Sequence, residues 1–264
     1  MTVAWSPGVA PVPEEIERIA FEGAPVHLSP ELLAHVARGR GRLEAALAAG
    51  GRVYGVTTGQ GFLAGRDLTG PEVARHQHDL LIGRAVGSAP WLDAGEARAL
   101  MAVRLARFCG GAAGVGPGLC RAIADRLNDG FTPAVPRTGV GCAGEVIPLS
   151  HAFQTLLGIG SVLDGGGGLV DAAEALARRG ADPYAPLAKE GIALLAGCPG
   201  VTALAICRRR SSAALAARRA ASAACAADAA GVPLDALSAP AGRLGPDAVL
   251  GEVADALGAL LEGA

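Results

Sequence analysis

Apolar positions along the chain recur mostly at helical spacing. Leu32, Leu33, Val36, Leu43 and Leu47 fall on one helix face. That helix starts at Ser29-Pro30-Glu31, where Ser29 suits the cap and Pro30 the first helical position, and Gly50-Gly51 ends it. Further helices are predicted at about 71–86, 95–108 and 117–129, opened by Pro71, Asp93 and Pro117. Two more are predicted at about 147–160 and 169–180, separated by the tetraglycine from Gly165 to Gly168. Residues 200–230 are alanine-rich and free of proline, and predict one helix of about 45 Å at 1.5 Å per residue. A last amphipathic helix over about 247–261 carries Val249, Leu250, Val253, Leu257, Leu260 and Leu261. Residues 1–25, with Pro7, Pro11, Pro13 and Pro25, read as a loose lead-in. Residues 52–66 form a glycine-rich loop, and 130–144 a stretch broken by proline and glycine. The expected fold is mainly α: a glycine-loop-rich helical body over 26–199, then long bundle helices over 200–264.

Composition narrows the function. The chain has 264 residues, 51% hydrophobic, 18% charged and 3% aromatic, which excludes disorder and supplies a sizeable core. Its 39 glycines follow no three-residue period, so collagen is excluded. A net charge of -2 argues against a globally cationic nucleic-acid binder. Arg208, Arg209, Arg210, Arg218 and Arg219 read as a solvated or partner-facing stripe on the long helix. The cysteines Cys109, Cys120, Cys142, Cys198, Cys207 and Cys225 form no CxxC pair and read as reduced, small residues. His76-x-His78 and the Cys142…His151 pair lack zinc-ligand spacing, so no metal is expected. No apolar run approaches the ~20 residues of a membrane span. The first residues carry prolines and acids where a signal peptide needs a basic and then an apolar stretch, so a cytoplasmic location is expected.

Gly139-Val140-Gly141-Cys142-Ala143-Gly144 matches GxGxxG ahead of a helix, but Pro133 and Pro136 break any preceding strand and no βαβ alternation surrounds it. Gly110-Gly111-Ala112-Ala113-Gly114 lacks the Gly-Lys-Ser/Thr of a P-loop, and no GxSxG is present. What remains is a set of blocks in fixed order. They are YGVTTGQG from Tyr54 to Gly61, the segment from Gln77 to Gly87, GVGCAGEVIPLSH from Gly139 to His151, and KEGIALLAG from Lys189 to Gly197. Together they resemble the histidine, phenylalanine and tyrosine ammonia-lyase and aminomutase family. That family carries YGVTTGFG, a glutamine-led helix ending in GxG, GSVGASGDLAPLAH and KEGLALLNGT in the same order. The resemblance runs from about Val26 to the end of the chain.

The resemblance implies a set of roles. The family builds a methylideneimidazolone electrophile from an Ala-Ser-Gly triplet, which here is Cys142-Ala143-Gly144. Ala143 has no hydroxyl to expel, and Cys142 stands one position too early to replace the serine, so this prosthetic group is expected to be absent. Glu145 replaces the family's aspartate, Ala196 the asparagine of its LLNG block, and Gly83-Arg84 its serine-histidine pair. Tyr54 matches the family's proton-abstracting tyrosine, and His151 is also kept. Gly61, Gly83 and Arg84 are expected at the substrate, with Arg84 gripping an anionic group, or else in a salt bridge to Asp79 or Glu72. Tyr54 stands as the acid-base residue, or else as a buried tyrosine with one satisfied hydrogen bond. The 139–144 loop would offer backbone N–H groups to an anion.

Family members are about twice this size. The resemblance therefore implies a second chain carrying the family's other half, or self-association, with the separate chain favoured. The expected function is a subunit of a heteromeric lyase-like enzyme that acts on a small molecule by elimination, isomerisation or cyclisation. The alternative is a non-catalytic partner of an active homologue.

Overall fold

The computed structural model describes residues 2–142, 144–232 and 248–261, with side chains from 252 onward in the last stretch. It contains the helices α1 (Pro13–Phe21), α2 (Pro30–Ala48), α3 (Pro71–Ile82), α4 (Ala94–Cys109), α5 (Pro117–Asn128), α6 (Val146–Gln154), α7 (Ala172–Ala177), α8 (Glu190–Leu195), α9 (Pro199–Ala229) and α10 (Ala248–Leu261). The mainly α expectation holds. Contacts divide the chain into two compact units, Met1–Cys207 and Arg208–Ala264.

In the first unit α4 is the central element, and α1, α2 and α5 pack on it. Its Ala97, Leu100, Met101, Leu105 and Phe108 are fully enclosed, as a helix covered on all sides requires. Asp93 and Glu96 form a reciprocal capping box at its start, and Arg137 adds two bonds to the Glu96 carboxylate at 2.7 and 3.3 Å. One turn further on, the buried Arg98 donates to the carbonyls of Ile19, Ala20 and Leu127 at 2.8, 3.3 and 3.0 Å. A single guanidinium thus satisfies carbonyls of α1 and α5 that would otherwise be orphaned at buried helix ends.

Three segments differ from the sequence reading. The lead-in is ordered: β1 (Val3–Trp5) pairs in parallel with β2 (Val26–Leu28), and α1 buries Ile16, Ile19 and Ala20. Pro13 there occupies the start of a helix, the one place where its missing N–H costs nothing. The predicted 147–160 helix ends at Gln154, continues as a 3-10 turn to Leu157, and stops at Gly158 in the left-handed region. The tetraglycine is the turn of a hairpin between β3 (Ser161–Leu163) and β4 (Leu169–Asp171), where Asp164 accepts N–H bonds from Gly166 and Gly168. The predicted 169–180 helix begins only at Ala172, where Asp171 accepts from Ala173 and Glu174.

The stretch Glu190–Ala229 contains an 18-residue window of mean hydropathy 1.7, half of it buried. This corrects the expectation that no run comes near spanning length. By length and composition one helical stretch does, and its partial burial is what a core helix shows. In the second unit Ala224 and Leu261 are buried, while Arg208, Arg209, Arg210, Arg218 and Arg219 are exposed.

Candidate functional site

The loop after α2 is held by short-range hydrogen bonds from its threonines. Thr57 Oγ1 accepts from the Val53 N–H at 2.8 Å, and Thr58 Oγ1 from the Gly55 N–H at 3.3 Å. Gly55 has φ +68, a left-handed value that favours glycine. Gln77 of α3, wholly buried, anchors this loop from below. Its Nε2 donates to the Gly55 carbonyl at 2.8 Å, and its Oε1 accepts from the Ile192 N–H of α8 at 3.1 Å. The two helices touch backbone to backbone, since a Cβ on Gly191 would stand 2.1 Å from the Gln77 carbonyl oxygen.

Tyr54 rides on this loop with 57% of its surface exposed, so it is not the buried tyrosine of the alternative reading. Its phenol oxygen accepts from the Gly61 N–H at 3.0 Å, and its own O–H has no acceptor among the described residues. Gly61 sits at φ +55, and Phe62 beside it is fully exposed. Arg84, half-buried after the end of α3, donates to Gln60 Oε1 at 2.9 Å and to the Leu80 carbonyl at 3.4 Å. Neither expected salt-bridge partner reaches it: Asp79 pairs with Arg75 and His78, and Glu72 with Arg66. Gly83 caps the end of α3, exposed, with only the Asp79 carbonyl of its own helix near its Cβ position.

The 139–145 loop is organised by Glu145. Gly139, Gly141 and Gly144 all have φ between +84 and +92. Cys142 is exposed, and Ala143 lies outside the described residues. Glu145 itself takes φ 40, a left-handed value rare for a side-chain-bearing residue, and is 1% exposed. Its Oε1 accepts from the N–H groups of Gly141 at 2.9 Å and Val201 at 2.7 Å, and its Oε2 from that of Gly200 at 2.6 Å. The carboxylate therefore sits on the first turn of α9, where free N–H groups and the helix dipole both favour an anion.

This narrows one expectation. Two of the loop's N–H groups are turned to internal acceptors: Gly141 N–H is spent on Glu145, and Cys142 N–H points to the Gly139 carbonyl at 3.4 Å. Among the described residues no strand lies between α5 and α6 apart from single bridges at Pro133 and Pro136, so the dinucleotide motif has no strand to follow.

Two more groups flank the site. Arg104 of α4 is 4% exposed and donates to the Ala196 carbonyl at 2.6 Å. Burial pushes its pKa down to about 10, opposed by the attraction of Glu145. His151 of α6 accepts the Gly87 N–H on Nε2 at 3.0 Å and leans on Trp91, ring centroids 5.9 Å apart. Burial pushes its pKa below the ordinary value, and the Gly87 bond needs that nitrogen bare.

The structure thus joins Tyr54, Gly61 and, through Gln60, Arg84 in one cluster. Cys142 and Gly144 belong to a second cluster, centred on Glu145. No hydrogen bond links the two among the described residues, and the packing of α3, α6 and α8 holds both. Sequence reasoning gave no role to Gln60, Gln77 or Arg104. The first stands where the family motif has phenylalanine, which was a usable signal. The other two act through contacts far away in sequence.

An aromatic amino acid lyase family model matches residues 12–264. The chain belongs to the aromatic amino acid lyase family. It is 37% identical over 193 residues to histidine ammonia-lyase of Streptomyces coelicolor, covering 73% of this chain and 38% of that protein. It is 36% identical over 192 residues to the MIO-dependent tyrosine 2,3-aminomutase of Streptomyces globisporus, covering 72% of this chain and 35% of that one. The crystal structure of tyrosine aminomutase from Streptomyces globisporus superimposes with a TM-score of 0.93 at 30% identity, over 100% of this chain and 49% of its own. The chain therefore spans about half the length of the relatives it matches in structure.

Two outcomes test this geometry. Glu145→Gln turns an amide NH2 toward a backbone donor at the α9 start, and should cost about 2–3 kcal/mol in urea unfolding. An unchanged midpoint would show that the carboxylate holds nothing. His151 has a lowered folded pKa, so the unfolded chain binds its proton first as pH falls. Stability should drop below about pH 6.5 and level off beneath the folded pKa. Thermal melts of His151→Gln should show a smaller acid-side drop than the parent.

Proposed function

We propose that this chain is a lyase-like subunit that works without the family's electrophile, with Tyr54 as the acid-base residue. The observation that carries the reading is the state of Tyr54: a phenol held by one backbone donor, open to solvent, on a loop whose Gln60 holds the Arg84 guanidinium. The triplet does not fit the prosthetic group. Cyclisation can use the Gly144 nitrogen, but dehydration needs a leaving group on the middle side chain, and Ala143 has a methyl. What is left is positioned proton transfer, worth typically 10²–10⁴-fold.

Arg84 supports a substrate that carries a negative group. No carboxylate pairs with it among the described residues, and Gln60 fixes its guanidinium beside the tyrosine loop. An amino-acid-derived small molecule undergoing elimination, isomerisation or cyclisation suits this arrangement. In this reading the remainder of the family's bundle and substrate groups comes from a second chain, or from self-association, in the cytoplasm.

A second reading, a non-catalytic partner of an active homologue, is favoured by one fact. Ala143 and Ala196 both lack the polar groups that the family motifs carry there.

The test is made on the complex purified from the native source. Intact mass should match the unmodified sequence, and a loss of two waters would overturn the proposal. In an amino-acid turnover screen, Tyr54→Phe should lower the rate by about 10²–10⁴-fold with little change in KM. Turnover that ignores Tyr54 would favour the partner reading.

A further inference from the structure

The second half of α9 is a helix without a cover. From Arg208 to Arg219 every residue is exposed, on all sides of the helix, although alanine and leucine fill the run from Ala213 to Ala217. Leu215 is 50% exposed, and in the same unit α10 leaves Val253 and Leu260, seven residues apart on one face, 50% and 51% exposed. Bare apolar surface shared by two helices of one unit marks a contact with another protein.

The residues along α9 say which one. Ala214, Arg218, Ala221, Cys225 and Asp228 are spaced four, three, four and three apart, which lines them up in one stripe along the helix. All five are exposed, while Ala224 beside the stripe is buried, so whatever covers Ala224 leaves the stripe bare. The stripe is small except at two places, and these carry opposite charges. Arg218 donates to the Ala214 carbonyl of its own helix at 3.3 Å, and among the described residues no carboxylate pairs with it. Asp228 has no cationic partner among the described residues either. Ten positions along one helix separate the two by about 15 Å, so they do not pair with each other within a chain.

We propose that this stripe is where a second copy of the chain docks, α9 against α9, antiparallel about a two-fold axis at Ala223. The spacing dictates the match. The two-fold sets Arg218 against the partner's Asp228 and, at the same time, Asp228 against the partner's Arg218. Between these ion pairs Ala221 meets the partner's Cys225, and Cys225 the partner's Ala221. Small side chains in the middle let the backbones approach, and the charges at either end fix direction and register. A parallel pairing would set arginine on arginine and aspartate on aspartate, so repulsion excludes it. A face complementary to itself under a two-fold is what a second copy requires. The docking is independent of the Tyr54 chemistry and stands whether or not that chemistry is correct.

The experiment is sedimentation velocity on the full chain over about 1–100 μM. The chain should associate as a dimer, or as a larger even-numbered assembly, towards the top of this range. Arg218→Glu and Asp228→Arg should each weaken association about tenfold, and the two together in one chain should restore it, because the charges are then merely exchanged. Arg219→Glu, on the other side of the helix, and Tyr54→Phe should leave association unchanged. A monomer at about 100 μM, a double variant no tighter than the single ones, or an Arg219→Glu effect equal to that of Arg218→Glu would each overturn the proposal.

Discussion

The Glu145 carboxylate at the head of α9 is the contact on which the site region depends. It ties a loop of left-handed glycines to a 31-residue helix and takes three N–H groups, among them that of the buried Gly200. Both partners are constrained by it. Glu145 accepts a left-handed backbone, and Gly200 must be bare, because a Cβ there would sit 2.8 Å from Oε2. A negative side chain at this place does internally what an anionic ligand does at many helix starts. The α9 dipole is thereby directed at the protein's own carboxylate instead of at a substrate.

Around that contact the architecture replaces side-chain bulk with backbone proximity. Gln77 spends its whole amide on two main-chain groups, one in the tyrosine loop and one in α8, and Gly191 lets α3 lie against α8. Rigidity at Tyr54 therefore comes from below the loop, while the phenol and Phe62 above it stay in water. Gln60 and Arg84 replace two residues of the family pattern and bond to each other. Two changes far apart in sequence have thus produced one local polar pair.

Much of the fold was legible because helix starts are local. Ser29-Pro30, Pro71, Asp93 and Pro117 each mark a start within a residue or two. Strands of three residues are too short to show a two-residue period, so β1 to β4 left no trace. Asp164, whose carboxylate closes the glycine turn, was the available hint of the hairpin. The tyrosine and arginine of the site came from motif resemblance. The duty of Glu145 did not, because its partners lie 55 and 56 positions away and nothing local announces them. Arg104 was invisible for the same reason: it stands in a helix that the sequence marked only by its start at Asp93, and its acceptor, the Ala196 carbonyl, lies far along the chain.

The parallel pairing of β1 with β2 carries a practical corollary. Asn128 fastens β2 by bonding both the N–H and the carbonyl of Val26, and β1 hangs from that fastening. The residues of β1 are therefore part of the packed body of the first unit. Anyone trimming the chain to begin neatly at α1, or fusing a bulky carrier ahead of Val3, would be pulling a brick that carries Val3 and Trp5 into the interior rather than tidying a loose end.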